Sequence, residues 1–77
     1  MFGTLFKENK EVCKGVRISL DTTNNQSRWK GFIYLPAGVE IDTSRYELKL
    51  EDGASGDIII MSVRGGIAMF RGADEWL

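Results

Sequence analysis

The 77-residue chain contains no histidine, a single cysteine and a single proline. Without histidine, neither the imidazole base of the common catalytic triads nor the usual zinc and copper ligand sets can be assembled from one chain. Cys13 is the only thiol, so an intramolecular disulfide is excluded. We therefore expect no catalytic residues, no metal site and no cofactor. A domain this small then depends on a well-packed core or on self-association.

An excess of one charge is also missing. Ten lysines and arginines nearly balance eleven aspartates and glutamates, and the formal net charge is −1. Because nucleic-acid affinity comes largely from basic residues that displace counterions, this balance disfavours a dedicated nucleic-acid binder, although a local basic patch is compatible with it. No segment resembles a signal peptide or reaches the roughly 20 apolar residues of a membrane span. Together with the lone thiol, these features predict a cytoplasmic protein that does not contact membranes.

The residues that are present predict one all-β domain over residues 1–77. Apolar and polar residues alternate with the period of a half-buried strand, or form short apolar runs between clusters of turn-forming residues. The predicted strands cover residues 12–20, 28–35, 45–51, 57–64 and 67–71. Residues 1–11 are less regular and fit either one helical turn or an early strand. We predict about five antiparallel strands in a meander, forming a small SH3-like or OB-like barrel or a strongly curved sheet.

The dipeptide Gly65-Gly66 predicts the register of the last hairpin, because a two-residue hairpin loop requires positive φ angles that glycine adopts readily. The predicted opposite pairs are Arg64 and Ile67, Val63 and Ala68, Ser62 and Met69, and Met61 and Phe70. Residues that lie opposite each other share a face of the sheet. One face is then wholly apolar and is predicted to be core, with Ile59, Met61, Val63, Ala68 and Phe70.

The second face of this hairpin combines polar residues with Ile58, Ile60, Ile67 and Met69. So many large apolar side chains are unusual on a solvent-facing sheet surface, and we expect something to cover them. The candidates are the Phe2–Phe6 segment, the apolar end at Trp76 and Leu77, or a second subunit. We expect Trp76 to dock on this chain or on a neighbour.

The strand predicted over residues 28–35 places Trp29, Ile33 and Leu35 on one face. The other face carries Arg28, Lys30, Phe32 and Tyr34. Aromatic side chains interleaved with cations are typical of barrels that stack single-stranded nucleic acid, and also of sheets that bind protein partners. Alternatively, a change of parity at Gly31 would place Phe32 and Tyr34 in the core, and the pattern alone favours this alternative.

Neither the thiol nor the carboxylates form a recognisable catalytic arrangement. A reactive cysteine needs a lowered pKa, and Cys13 lies in a predicted strand without a suitable cationic neighbour, so we predict a small buried or edge apolar residue. Asp52 and Asp57 flank a tight turn, where aspartate is common for its turn geometry.

The prediction is therefore a non-enzymatic interaction module whose partner is another protein or a second copy of itself in a homodimer. The alternatives are a small barrel that binds single-stranded nucleic acid, and an enzyme whose site is shared between subunits. The predicted partner-binding residues are Arg28, Lys30, Phe32, Tyr34, Ile58, Ile60, Ile67, Met69 and Trp76.

Overall fold

The computed structural model describes residues 1–21 and 30–73, which form a closed barrel of antiparallel strands. The strands are β1 (Phe2–Lys7), β2 (Lys10–Asp21), β3 (Lys30–Tyr34), β4 (Arg45–Leu50), β5 (Ser55–Arg64) and β6 (Ile67–Gly72). The predicted small all-β barrel is confirmed. The described ranges hold six strands instead of about five, because the irregular segment at the start of the chain forms β1. Within these ranges no helix is long and apolar enough to cross a bilayer.

The order of strands around the barrel is β1-β2-β3-β6-β5-β4. The chain therefore forms two three-stranded meanders instead of the single meander that the sequence predicts. The connection between them, residues 35–44, crosses one end of the barrel, and its apolar side chains Leu35, Val39 and Ile41 pack against the core. This crossing brings β3 beside β6, two strands that are far apart in the sequence.

The barrel interior is filled by one cluster of apolar side chains, to which every strand contributes. The predicted alternation in β4 is confirmed, since Tyr46, Leu48 and Leu50 are buried. Cys13 is also buried, as predicted, and behaves as a small core residue. The buried cluster consists of Leu5, Cys13, Val16, Ile18, Ile33, Tyr46, Leu48, Leu50, Ile58, Ile60, Ala68 and Phe70.

Positive φ angles mark two of the hairpin turns. Gly65 and Gly66 have φ angles of 56° and 78°, which confirms the predicted two-residue loop between β5 and β6. Glu8 and Asn9 make the equivalent turn between β1 and β2, with φ angles of 52° and 66°. This second turn contains no glycine, and its asparagine is a residue that tolerates the left-handed region comparatively well.

Glycine at position 31 lets β3 approach β2 closely. A Cβ built on Gly31 would lie 2.0 Å from the backbone oxygen of Ser19, a separation that no side chain tolerates. The glycine thus marks a close backbone approach and does not change the parity of the strand. Ile33 points into the core, while Phe32 and Tyr34 are exposed. The alternative in which Phe32 and Tyr34 are core residues is therefore wrong.

A β-bulge at Met61 corrects the predicted faces of the last hairpin. The first three predicted pairs are confirmed, but Phe70 lies opposite Ile60 and not opposite Met61. The extra residue reverses the parity of β5 beyond this point. Ile58 and Ile60 are consequently core residues, 0% and 1% exposed, and their assignment to a partner-binding face is wrong. Met61, predicted to be core, is 48% exposed.

Candidate functional site

Four large apolar side chains lie together on the outer surface of β3 and β6. Phe32 lies opposite Met69, and Tyr34 lies opposite Ile67, so the four form two adjacent cross-strand pairs. Their exposed fractions are 42% for Phe32 and Met69, 39% for Tyr34 and 40% for Ile67. Exposed apolar residues scattered singly are ordinary on protein surfaces, whereas a contiguous group of this kind is a candidate interaction site.

Cations extend these two pairs onto the flanking strands. On β2, Arg17 lies opposite Tyr34, and its guanidinium carbon is 5.7 Å from the centre of the Tyr34 ring. On β5, Arg64 lies opposite Ile67. One row across four strands thus reads Arg17, Tyr34, Ile67, Arg64, and it continues onto β1, where Phe2 lies opposite Arg17.

Two further rows lie beside the first one. Ser19, Phe32, Met69 and Ser62 form the middle row, with the bulged Met61 next to Ser62. Lys30 and Arg71 are opposite each other in the third row. We call this surface the basic–apolar face. It comprises Arg17, Ser19, Lys30, Phe32, Tyr34, Met61, Ser62, Arg64, Ile67, Met69 and Arg71.

Positive charges predominate on the basic–apolar face. It contains four cations, and none of them forms an ion pair with a carboxylate whose side chain the structure describes. Along β5 the described carboxylate that borders the face is Asp57, which accepts a hydrogen bond of 2.7 Å from Arg45. On β2, the backbone of Asp21 lies opposite Lys30, so one acidic position belongs to the edge of the same face. A net charge near zero therefore conceals a local basic surface.

The side of the barrel formed by β1 and β4 has the opposite character, because its charges neutralise one another. Lys7 Nζ lies 3.2 Å from Asp42 Oδ1, 2.6 Å from Ser44 Oγ and 4.9 Å from the centre of the Tyr46 ring. Asp42 also accepts hydrogen bonds from the hydroxyls of Ser44 and Tyr46, the latter at 2.7 Å. These hydrogen bonds, followed by that from Lys7, lower the pKa of Asp42 to about 2.

A shallow cleft of about 430 Å³ opens on this same side, between the β1–β2 turn and the β4–β5 pair. Beside it, Lys49 Nζ lies 4.8 Å from the centre of the Phe6 ring. The aromatic and charged groups here contact each other and tie the 35–44 connection to the barrel wall. The cleft is lined by Phe6, Lys7, Glu8, Asn9, Ser44, Arg45, Tyr46, Glu47 and Asp57.

The Cys13 thiol is a poor nucleophile. Burial, with a smaller contribution from the negative charge of Glu11, raises the pKa of the Cys13 thiol, which therefore stays protonated at neutral pH. Among the described side chains, no group of three or more aspartate, glutamate or cysteine residues is placed to hold a metal ion.

Five of the predicted partner-binding residues come together on the basic–apolar face: Lys30, Phe32, Tyr34, Ile67 and Met69. Ile58 and Ile60 lie inside the barrel, and Arg28 and Trp76 lie outside the described residues. The segment at Phe2–Phe6, proposed as a cover for the last hairpin, is instead part of the barrel wall.

The prediction missed three arginines and one methionine of this face, namely Arg17, Arg64, Arg71 and Met61. The hairpin register already placed Arg64 and Arg71 beside Ile67 and Met69. Arg17 could be assigned to the face only from the pairing of β2 with β3, and Met61 only from the position of the bulge.

No protein-family model, no curated protein and no solved structure matches this chain. The function is therefore inferred from the barrel and its surface.

Proposed function

We propose that this protein is a non-enzymatic binding module that holds a macromolecular partner on the basic–apolar face. The observation that carries the proposal is the adjacency of the pairs Phe32–Met69 and Tyr34–Ile67, all exposed, with arginines at both ends of the row. Aromatic residues, methionine and arginine are the types enriched in binding interfaces. An exposed group of this kind on a barrel that already has a complete core is best explained by a partner.

The rest of the molecule supports a binding role over a catalytic one. The Cys13 thiol is buried and its pKa is raised, so it is a poor nucleophile. The polar groups of Asp42, Ser44 and Tyr46 are engaged with each other and with Lys7. A reduced thiol also fits the cytoplasmic location that the sequence predicts.

A second copy of the chain suits this surface less well than a different partner does. A symmetric dimer places the same surface patch of both subunits in contact. Here it would bring Arg17, Lys30, Arg64 and Arg71 of both copies together, and like charges in contact across an interface are unfavourable. Self-association through this face would require an asymmetric contact with an acidic region of the neighbour.

The proposal is tested with three kinds of probe: the protein itself in sedimentation velocity, a library of acidic peptides, and mixed-sequence oligonucleotides. We expect the wild type to bind at least one probe, and the double variant Phe32→Ala/Met69→Ala to bind it at least tenfold more weakly. Phe6→Ala, on the opposite side, is the matched control and should bind like the wild type. Circular dichroism confirms that each variant is folded. Absence of binding to every probe, or equal binding by the double variant, would falsify the proposal.

A further inference from the structure

We infer that the partner held by the basic–apolar face is a single-stranded nucleic acid. The inference rests on the proposed function, whose surface it assigns to one class of ligand. The face combines exposed aromatic rings with cations. A ligand that matches it offers both flat apolar groups and negative charge. A single strand offers a base and a phosphate in every nucleotide.

The arrangement of the rows supports this assignment. Phe32 and Tyr34 are two residues apart on one strand, which places them about 7 Å apart along β3. Both rings are exposed, and Met69 and Ile67 lie opposite them on β6, so the four positions could serve as a stacking platform for two bases. Stacking on such platforms tolerates any base sequence, because every base has a π face.

The cations lie at the edges of this platform and not within it. Arg17 and Arg64 are at the two ends of the first row, and Lys30 and Arg71 lie together in the third row. A single-stranded nucleic acid whose bases stack on Phe32 and Tyr34 would have its phosphates near these edges. The charges are thus placed to contact the backbone of the nucleic acid while the centre contacts its bases.

The exposed aromatic side chains favour a single strand over a duplex. In a duplex the bases are stacked on each other, so side chains on a convex barrel wall reach mainly the phosphates. Phe32, Tyr34, Met69 and Ile67 would then lose no contact with water on binding. Among nucleic acids, only one with unstacked bases would cover the four exposed apolar residues at the centre of this surface.

An acidic protein segment would satisfy the charges but fits the apolar centre less well. The acidic segment would need large apolar side chains alternating with its carboxylates to cover both cross-strand pairs. The neutral overall charge is no obstacle to a nucleic acid, because the four cations of this face outnumber the two acidic positions next to it, Asp21 on β2 and Asp57 on β5.

The test is fluorescence anisotropy of a labelled, mixed-sequence DNA of about 12 nucleotides, a length within the range that one small barrel holds. At low ionic strength we expect binding of the single strand, and weaker binding of the duplex of the same sequence. Tyr34→Ala should weaken binding about five- to 150-fold, as the loss of one stacked base does.

Paired charge variants separate a local surface from general attraction. Four phosphate contacts predict that the logarithm of the association constant falls with the logarithm of salt concentration with a slope of about −3. Arg71→Gln should reduce the magnitude of that slope by about 0.7. Lys49→Gln removes the same charge on the opposite side, next to Phe6, and should leave both affinity and slope unchanged.

Three results would overturn the inference: no binding of the single strand at low ionic strength, equal or tighter binding of the duplex, or an equal effect of Arg71→Gln and Lys49→Gln. If one of these three results is obtained while an acidic peptide binds and Phe32→Ala/Met69→Ala abolishes that binding, the nucleic-acid assignment is wrong while the proposed function stands. If no class of probe binds, both are wrong.

Discussion

Cations and aromatic side chains occur on two sides of the barrel, but their contacts differ between the side built from β1 and β4 and the side built from β3 and β6. On the first side, Lys7 and Lys49 lie over the rings of Tyr46 and Phe6, and Lys7 also pairs with a carboxylate. On the second, the cations surround an exposed apolar centre and form no ion pair with a carboxylate whose side chain is described.

This contrast indicates where a small domain with little net charge can bind a ligand. Cations and aromatic rings that contact one another on one side contribute to the folded state there. On the other side the cations form no ion pair with a described carboxylate, and although Arg17 lies 5.7 Å from the centre of the Tyr34 ring, the apolar centre stays exposed to a ligand. The overall composition describes neither side, because it averages the two.

The comparison depends first on the bulge at Met61, which turns Ile60 inward and Met61 outward. Ile60→Ala removes a fully buried side chain and should lower the free energy of unfolding by about 2–5 kcal/mol. Met61→Ala, at an exposed position, should change it by no more than about 0.5 kcal/mol. Urea unfolding followed by circular dichroism measures both. A reversed order of the two effects would show that the bulge is elsewhere and that the face is assigned incorrectly.

How much of this arrangement the sequence predicts depends on the range of the interaction. The alternation of Tyr46, Leu48 and Leu50 and the loop at Gly65-Gly66 are local signals, and both gave correct predictions. The run from Ile58 to Met61 is apolar throughout, so periodicity carries no information on where the extra residue lies. The faces of β5 were therefore predicted wrongly from Met61 back to Ile58, because a shift of one residue moves every side chain to the other side of the strand.

The pairing of β3 with β6 was out of reach for a different reason. It joins segments more than thirty positions apart and depends on how the 35–44 connection crosses the barrel. The sequence therefore suggests two separate candidate surfaces, one around Phe32 and Tyr34 and one around Ile67 and Met69. Folding merges them into one.

The second prediction concerns Gly31, which seats β3 against β2 and thereby positions Lys30 and Phe32. Gly31→Ala would place a Cβ against the backbone oxygen of Ser19, and the strand must move to accept it. We expect a loss of about 1–3 kcal/mol in the free energy of unfolding, the usual cost of overpacking. Ser19→Ala, which leaves that backbone oxygen in place, is the control and should be nearly neutral. Equal stability of Gly31→Ala and the wild type in thermal unfolding would contradict the close approach.

The third prediction uses pH to test the neutralised side alone. Hydrogen bonds from Ser44, Tyr46 and Lys7 hold the pKa of Asp42 at about 2, below the value of about 3.9 for a free aspartate. Between these values the unfolded state binds more protons than the folded state. The stabilising contribution is therefore complete above about pH 4 and is lost as the pH falls through about 2.

Asp42→Asn should accordingly be less stable than the wild type at neutral pH and should lose less stability on acidification. Urea midpoints measured at several values of pH provide the comparison. Glu40→Gln removes an exposed carboxylate from the same connection and is the matched control. If Asp42→Asn showed the same acid dependence as the wild type, the hydrogen bonds to Asp42 would not be an important source of it.

The smallest expected effect gives the sharpest contrast between the two sides. Arg45→Gln removes an ion pair of 2.7 Å with Asp57, which is partly exposed, and should cost about 0–1 kcal/mol of stability. Arg64→Gln, on the basic–apolar face, should leave stability unchanged within about 0.5 kcal/mol but reduce the salt dependence of oligonucleotide binding. The two cations would then have different roles: Arg45 stabilises the folded state and Arg64 contacts the bound oligonucleotide. If Arg64→Gln destabilised the barrel more than Arg45→Gln does, the cation on β5 would serve the fold, and the distinction between the two sides would fail at that residue.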